Sequence, residues 1–250
     1  MNHLKDQDAS KQDQKEFLLS LPGMEKGCKR LVIILGLLGD FDSIEYIQML
    51  VRYLPCLEKA NIKLLVIGIG SEEGKKKFCE FTKLPHNYIT VVDHIDIHQK
   101  LGLNTCRMSI YSPIINLLLM CAGINSPGTL NEVLRGYVGD KNAQPIFKPD
   151  DIISTGILPD FKGKLFEGAG GKGFLRPFEM ATLRLGNMTE VLFNWSQYMI
   201  NNEYLSQRGG TFMLDEGNKF IHIHRSNALL SYSHNMSKPI SYLEQYIKVQ

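Results

Sequence analysis

Five cysteines, at positions 28, 56, 79, 106 and 121, are the first residues in this chain that could do chemistry. A thiolate attacks peroxides and disulfides, and a helix N-terminus or nearby cations lower the thiol pKa enough to form one. The count is odd and lacks the close pairs of zinc sites or secreted disulfide frameworks, so free thiols in a reducing compartment are expected. Cys28, between Lys26 and Lys29-Arg30, has the most electropositive neighbourhood and reads as a solvated loop thiol. Cys79 falls late on the apolar face of a helix beside Phe78, a pattern of burial and not of activation. Cys121 lies inside an apolar run and should be inert, Cys56 follows Pro55, and Cys106 adjoins Arg107.

Three further groups compete with the thiols. Gly168-Ala-Gly-Gly-Lys-Gly173 fits the dinucleotide-binding spacing G-x-G-x-x-G, with Lys172 and Arg176 as added cations. Its context is wrong, because no apolar strand precedes it and no acidic strand end follows about 20 residues on, so a flexible loop is expected. His222 and His224 share one face of a strand, yet spacing supplies no third metal ligand, and an edge-hairpin surface explains them. The loop Gly39-Asp-Phe-Asp-Ser43 opens a helix. There Asp42 fits an N-cap and Glu45, three positions on, fits a capping box, with Asp40, Asp42 and Ser43 as a small polar binding site the alternative.

The elements that must position these residues follow from hydrophobic periodicity. The runs at 30–35 and 63–69 are continuous and β-branched, as strands covered on both faces are. Tyr46, Ile47, Met49, Leu50, Tyr53, Leu54 and Leu57 recur at helical spacing between them, with Pro55 expected to kink or end the helix. This is a β-α-β crossover. A polar helix at 72–83, a strand at 88–92 and a short helix at 95–101 extend the alternation. Residues 210–214 and 219–224 flank Asp215-Glu-Gly-Asn218 as an antiparallel hairpin, and a helix at 240–247 closes the chain. Residues 102–200 break the pattern: Ser126-Pro-Gly-Thr129 opens a helix, a Gly- and Pro-rich stretch follows, and 178–198 is helical. There Met180, Leu183, Leu185, Met188, Val191 and Leu192 read as core packing, joined by Trp195.

The composition, with 44% hydrophobic and 22% charged residues in 250, supports a globular core. Lys and Arg total 28 against 26 Asp and Glu, interspersed, which argues against nucleic acid or an anionic membrane as partner. The polar stretch 1–16 reads as a frayed extension and not a secretory signal, so a cytoplasmic location is expected. The apolar run 110–124 is interrupted by Ser112, Pro113 and Asn116 and is too short to span a membrane, so a buried helix is expected there.

Several segments together resemble the peroxiredoxin-like branch of the AhpC/TSA antioxidant family. They are residues 31–46, Phe78-Cys-Glu-Phe-Thr-Lys-Leu-Pro85 with Val92-Asp93, Leu101-Gly-Leu103, Arg208-Gly-Gly-Thr-Phe-Met-Leu-Asp215 and His222-Ile-His-Arg225. Gly123-Ile-Asn-Ser-Pro-Gly-Thr129 and Leu134-Arg-Gly-Tyr137 are similar to a long-insertion subgroup. The resemblance implies an α/β fold with a thioredoxin-like core (β-α-β-α-β, then a β-hairpin and C-terminal helix) and a large, mostly helical insertion. The divisions would be an N-terminal extension at 1–24, core halves at 25–101 and 201–250, and the insertion at 102–200. It implies a thiol-dependent antioxidant function, a thioredoxin-type reductant or protein partner, and neither cofactor nor metal.

The family pattern Gly-Cys-x-x-Cys falls on Gly39 to Ser43, so Asp40 and Ser43 stand in the two cysteine positions. Peroxide reduction begins with sulfur attacking an O–O bond to give a sulfenic acid, which neither a hydroxyl nor a carboxylate can do. The resemblance leaves Cys79 as the first candidate for a transferred thiol and Arg208 as a residue near the active loop, able to pair with Asp40 or Asp42. The readings that follow are a peroxiredoxin-like protein with degenerate cysteine positions, a non-catalytic binding or regulatory protein using the 102–200 insertion, and a nucleotide-linked enzyme using the glycine loop.

Overall fold

The computed structural model describes residues 2–24, 27–103, 105 and 111–247, with side chains from residue 10 onward. Helix α1 (Asn2–Leu19) leads to β1 (Lys29–Leu37), α2 (Phe41–Val51), α3 (Leu54–Lys59), β2 (Ile62–Ile69), α4 (Glu72–Thr82), β3 (Ile89–Val92) and α5 (Asp96–Lys100). The middle of the chain holds α6 (Pro113–Cys121), α7 (Thr129–Val138), a two-residue pair β4 (Ile152–Ile153) and β5 (Phe161–Lys162), α8 (Lys164–Gly170), α9 (Glu179–Phe193) and α10 (Trp195–Tyr198). Strands β6 (Gly210–Leu214) and β7 (Phe220–Arg225) return to the first sheet, whose order is β3-β2-β1-β6-β7. The β3-β2-β1 pairs are parallel and the β1-β6-β7 pairs antiparallel. That is the thioredoxin-like order the resemblance implied.

Period-two alternation along β1 divides the core. Leu31, Ile33 and Leu35 face α2, α3 and α4 in one apolar cluster, while Val32 and Ile34 join Leu65, Ile67, Phe212 and Leu214 in another. The second face is closed by Leu18 and Met24, both buried, with Leu101 and Leu103. The polar N-terminal stretch is therefore a helix and not a frayed extension. Its apolar end reaches the sheet, and Arg225 Nη2 donates to Gln14 Oε1 at 2.7 Å.

Other departures have local causes. The first helix is broken after Val51 and restarts at Leu54, with Pro55 in the new first turn, where its missing N–H costs nothing. The 178–198 segment is two helices interrupted at Asn194. In place of a closing α-helix stands a single 3-10 turn, Ser241–Leu243, with Leu243 buried. Helix α6 is not the buried helix expected of its composition: only Asn116 and Met120 are buried, whereas Ile114, Ile115 and Leu118 are exposed. Among the described residues no helix is long and apolar enough to cross a membrane.

Residue 209 is where the returning chain presses closest on β1. A Cβ there would lie 2.2 Å from the Ile34 carbonyl oxygen, a rigid backbone atom. Gly209→Ala must therefore shift β6 against β1, and is expected to cost about 1–3 kcal/mol in urea unfolding. An unchanged denaturation midpoint would show that the strand pair yields freely.

Candidate functional site

Strand β1 ends in a turn closed by the Asp40 N–H donating to the Leu37 carbonyl at 2.9 Å, which aims the first turn of α2 at the sheet edge. Gly39 fits only as glycine, since a Cβ would lie 2.8 Å from Cβ of Tyr198 in α10. Asp40 occupies the N-cap position in extended backbone but makes no side-chain cap bond, although the Phe41 and Asp42 amides favour its charge. Asp42 and Ser43 lie within the first turn of the helix. The expected Asp42–Glu45 capping box does not form, because stronger partners from distant elements claim both carboxylates.

That partner for the two aspartates is Arg208, just before β6 and 1% exposed. Its Nη1 lies 3.3 Å from Asp40 Oδ2 and 3.2 Å from Asp42 Oδ2, while Nε and Nη2 donate to the Ser206 and Leu205 carbonyls. Asp42 Oδ1 also accepts the Leu230 N–H at 2.6 Å. Leu230 has a φ of +54°, left-handed backbone that a branched side chain rarely adopts, so the carboxylate helps hold a strained turn. Ser43 is buried beside a cavity of about 20 Å³ shared with Asp40, Asp42 and Thr211, room for a water-sized molecule.

Two buried carboxylates share one guanidinium. Burial raises both above the usual carboxylate range. For Asp40, Arg208 opposes the shift; Asp42, which also feels the negative charge of Asp40, is pushed up to about 7.

Glu45, fully buried, meets Arg184 of α9 in a two-pronged pair (Nε to Oε2 2.7 Å, Nη2 to Oε1 3.0 Å) and accepts the Tyr232 hydroxyl at 2.9 Å. Burial works against the Arg184 charge, but Glu45 outweighs it and holds the guanidinium protonated. A reciprocal amide pair, Gln48 with Asn187, adds a second tie between α2 and α9. The only sequence signal for this contact was Arg184 itself, one charge inside the apolar stripe of α9.

Above the loop, α2, α7 and α9 enclose a cavity of about 230 Å³. Phe41 and Asp42 contribute one wall, Thr129, Val133 and Tyr137 another, and Ala181, Arg184, Leu185 and Met188 a third. The α9 stripe is thus only partly core: Met180 and Val191 are buried, Leu185 and Met188 line the cavity, and Leu192 is exposed. Cys121 also lines it and is exposed, not buried as expected. Desolvation raises its pKa, the charge of Arg208 lowers it and those of Asp40 and Asp42 raise it, so it lies within electrostatic reach of the loop.

The remaining candidates lie elsewhere. Cys79 is buried in α4, its thiol raised by desolvation, and the charges it feels are Lys75, Glu72 and Glu80, none from the loop. Cys28 is buried and not a solvated loop thiol, Cys56 is half-buried, and Cys106 and Lys26 lie outside the described residues. The glycine segment is part helix, part loop: α8 runs through Gly170, residues 171–173 are irregular, and Lys172 reaches back to Glu167 at 3.7 Å. His222 and His224 are half-buried or buried, not an open surface. His222 stacks on Tyr242 at 4.2 Å and His224 meets His234 edge-on at 4.4 Å. Desolvation, then the neighbouring histidines, holds the His222 pKa down to about 4. Among the described residues no group of His, Cys, Asp or Glu could hold a metal ion.

Fold and site define a thioredoxin-fold protein with a buried arginine–carboxylate cluster at the N-terminus of the helix that follows β1. The chain belongs to the AhpC/TSA antioxidant enzyme family, whose model matches residues 49–227, beginning just after the loop. No curated protein and no solved structure matches the chain.

Two measurements probe the cluster. Arg208→Met strands two buried carboxylates and is expected to lower unfolding free energy by about 3–5 kcal/mol. Asp42 is protonated in the fold where the unfolded chain ionises, so its stabilisation is complete below the ordinary value of 3.8 and is lost as pH rises to about 7. The slope is at most about 1.4 kcal/mol per pH unit. Asp42→Asn keeps an oxygen for Leu230 and should leave a shallower slope, that of Asp40 alone; parallel stability–pH curves for the two proteins would refute a raised Asp42.

Proposed function

We propose that this AhpC/TSA-family protein has given up peroxide reduction at its helix N-terminus and acts as a binding protein for a small, largely apolar ligand. The observation that carries this reading is the cavity of about 230 Å³ directly over Phe41 and Asp42, walled mainly by the insertion. Its volume approaches that of small-ligand sites, and its apolar lining with a few convergent polar groups is their usual chemistry. Asp42, Thr129 and Arg184 supply those groups. They are already fixed, Asp42 by Arg208 and Leu230, Thr129 Oγ1 by donating to the Leu229 carbonyl at 3.0 Å, and Arg184 by Glu45. A ligand would meet a preorganised floor.

At the family's reacting positions, Asp40 offers no redox chemistry and Ser43 is buried beside a cavity of about 20 Å³. Arg208, which the resemblance placed near the active loop, has its guanidinium engaged by two carboxylates and two carbonyls. The four described cysteines are free thiols, in keeping with a reducing, cytoplasmic setting.

Cys121 favours a second reading, a thiol reaction moved to the cavity wall, served by a thioredoxin-type reductant. Peroxide consumption coupled to a thioredoxin recycling system separates the two. The binding reading expects turnover no greater than that of a variant lacking all five cysteines; sustained turnover abolished by Cys121→Ser would replace it with the second. For the cavity, the neutral dye N-phenyl-1-naphthylamine should bind saturably to the wild type. Ala181→Phe, which fills the space, should weaken that binding about tenfold or more.

A further inference from the structure

At the opposite end of α2 from the loop lies a larger groove of about 350 Å³ that the family reading does not use. Its floor is apolar and well packed: Ala143, Ile146, Leu175 and Met180 form a separate buried cluster, with Met49 against it. Its other wall is the C-terminal segment, through Met236 and Pro239. Three methionines in one groove give a deformable surface suited to ligands of varied shape.

The charges around the groove are unequal in their commitments. Arg135 is spent on Glu132 and Asp140. Arg52, an exposed residue, is not: Nη2 donates to the Ile146 carbonyl at 3.0 Å, which tethers the guanidinium at one corner, and its other nitrogens have no protein acceptor among the described residues. Lys238 forms no ion pair among the described residues, and Glu244 is the one acidic residue of the lining. Arg52 caps the C-terminus of α2, which explains its charge there but not its bond to Ile146 in the groove lining.

We infer that this groove is a binding site for a small organic anion: a carboxylate, phosphate or sulfonate head held by Arg52 and Lys238, with an apolar body against Met49, Met180 and Met236. A guanidinium tethered at one nitrogen with its other donors uncommitted suits planar, two-pronged recognition of an oxyanion, and the exposed ammonium of Lys238 on the same groove adds charge without geometry. The apolar floor then selects amphipathic anions over inorganic ones.

The test titrates the wild type with 8-anilinonaphthalene-1-sulfonate by fluorescence and calorimetry. Saturable binding is expected that weakens with added salt. The double variant Arg52→Met/Lys238→Met should weaken it about tenfold or more, the loss of one charge-assisted contact sufficing for that factor. Lys238→Glu alone, an exposed substitution, should weaken it several-fold. Ala181→Phe, which fills the cavity over the loop, should leave this component in place. Sulfonate binding that is absent, is indifferent to both groove variants, or disappears in Ala181→Phe would overturn the site. Loss of the neutral dye alone would instead count only against the cavity over Asp42.

Discussion

Arg208 is the hinge of the electrostatics. One guanidinium, removed from water, binds the turn after β1, the first turn of α2 and the carbonyls at 205 and 206 that lead from the insertion into β6. Through Asp42 it also sets the strained Leu230. A buried ion cluster of this kind gains little over well-packed apolar side chains, but removing one member leaves an uncompensated charge and costs far more than the cluster contributes. Its members are therefore hard to exchange singly. With two acids against one cation, the cluster relieves its excess charge by keeping a proton.

A second buried pair, Glu45 with Arg184, does for the insertion what Arg208 does for the loop. It lies one helical turn further along α2, and with Gln48 and Asn187 it sets α9 across the face of that helix. The cavity over Asp42 exists because this seam holds α9 while α7 closes the other side. The loop, the insertion and the C-terminal strand pair are thus joined through α2, whose two ends face two different cavities.

The sheet was readable from residues 30–35, 63–69 and the Asp215-Glu-Gly-Asn218 turn because buried strands carry unbroken apolar runs and hairpins carry turn residues. Helix ends were readable where proline acts locally, as at Pro55. What misled was chemistry that looks local and is not. Asp42 and Glu45 have cap spacing, yet Arg208 and Arg184, more than 130 residues away, bind them instead. Composition likewise placed α6 in the interior, when its apolar side chains lie outside, and placed Cys28 outside, when the start of β1 carries it inside. His234 is eleven residues beyond Ile223 and entered no spacing argument, though it touches His224 across the turn. Burial of a charge is decided by partners that only the tertiary fold supplies.

The central strand is completed late. β1 lies between β2, its near neighbour in sequence, and β6, which begins at residue 210. A ribosome adding about 5–20 residues each second needs on the order of 10–30 s to travel from one to the other. Throughout that interval one edge of β1, buried at eight of its nine positions in the finished fold, has no mate, and the β-α-β half that has already emerged presents it to solvent. The helices at 113–198 that wall the cavity lie inside this interval, so making them prolongs the exposure of β1.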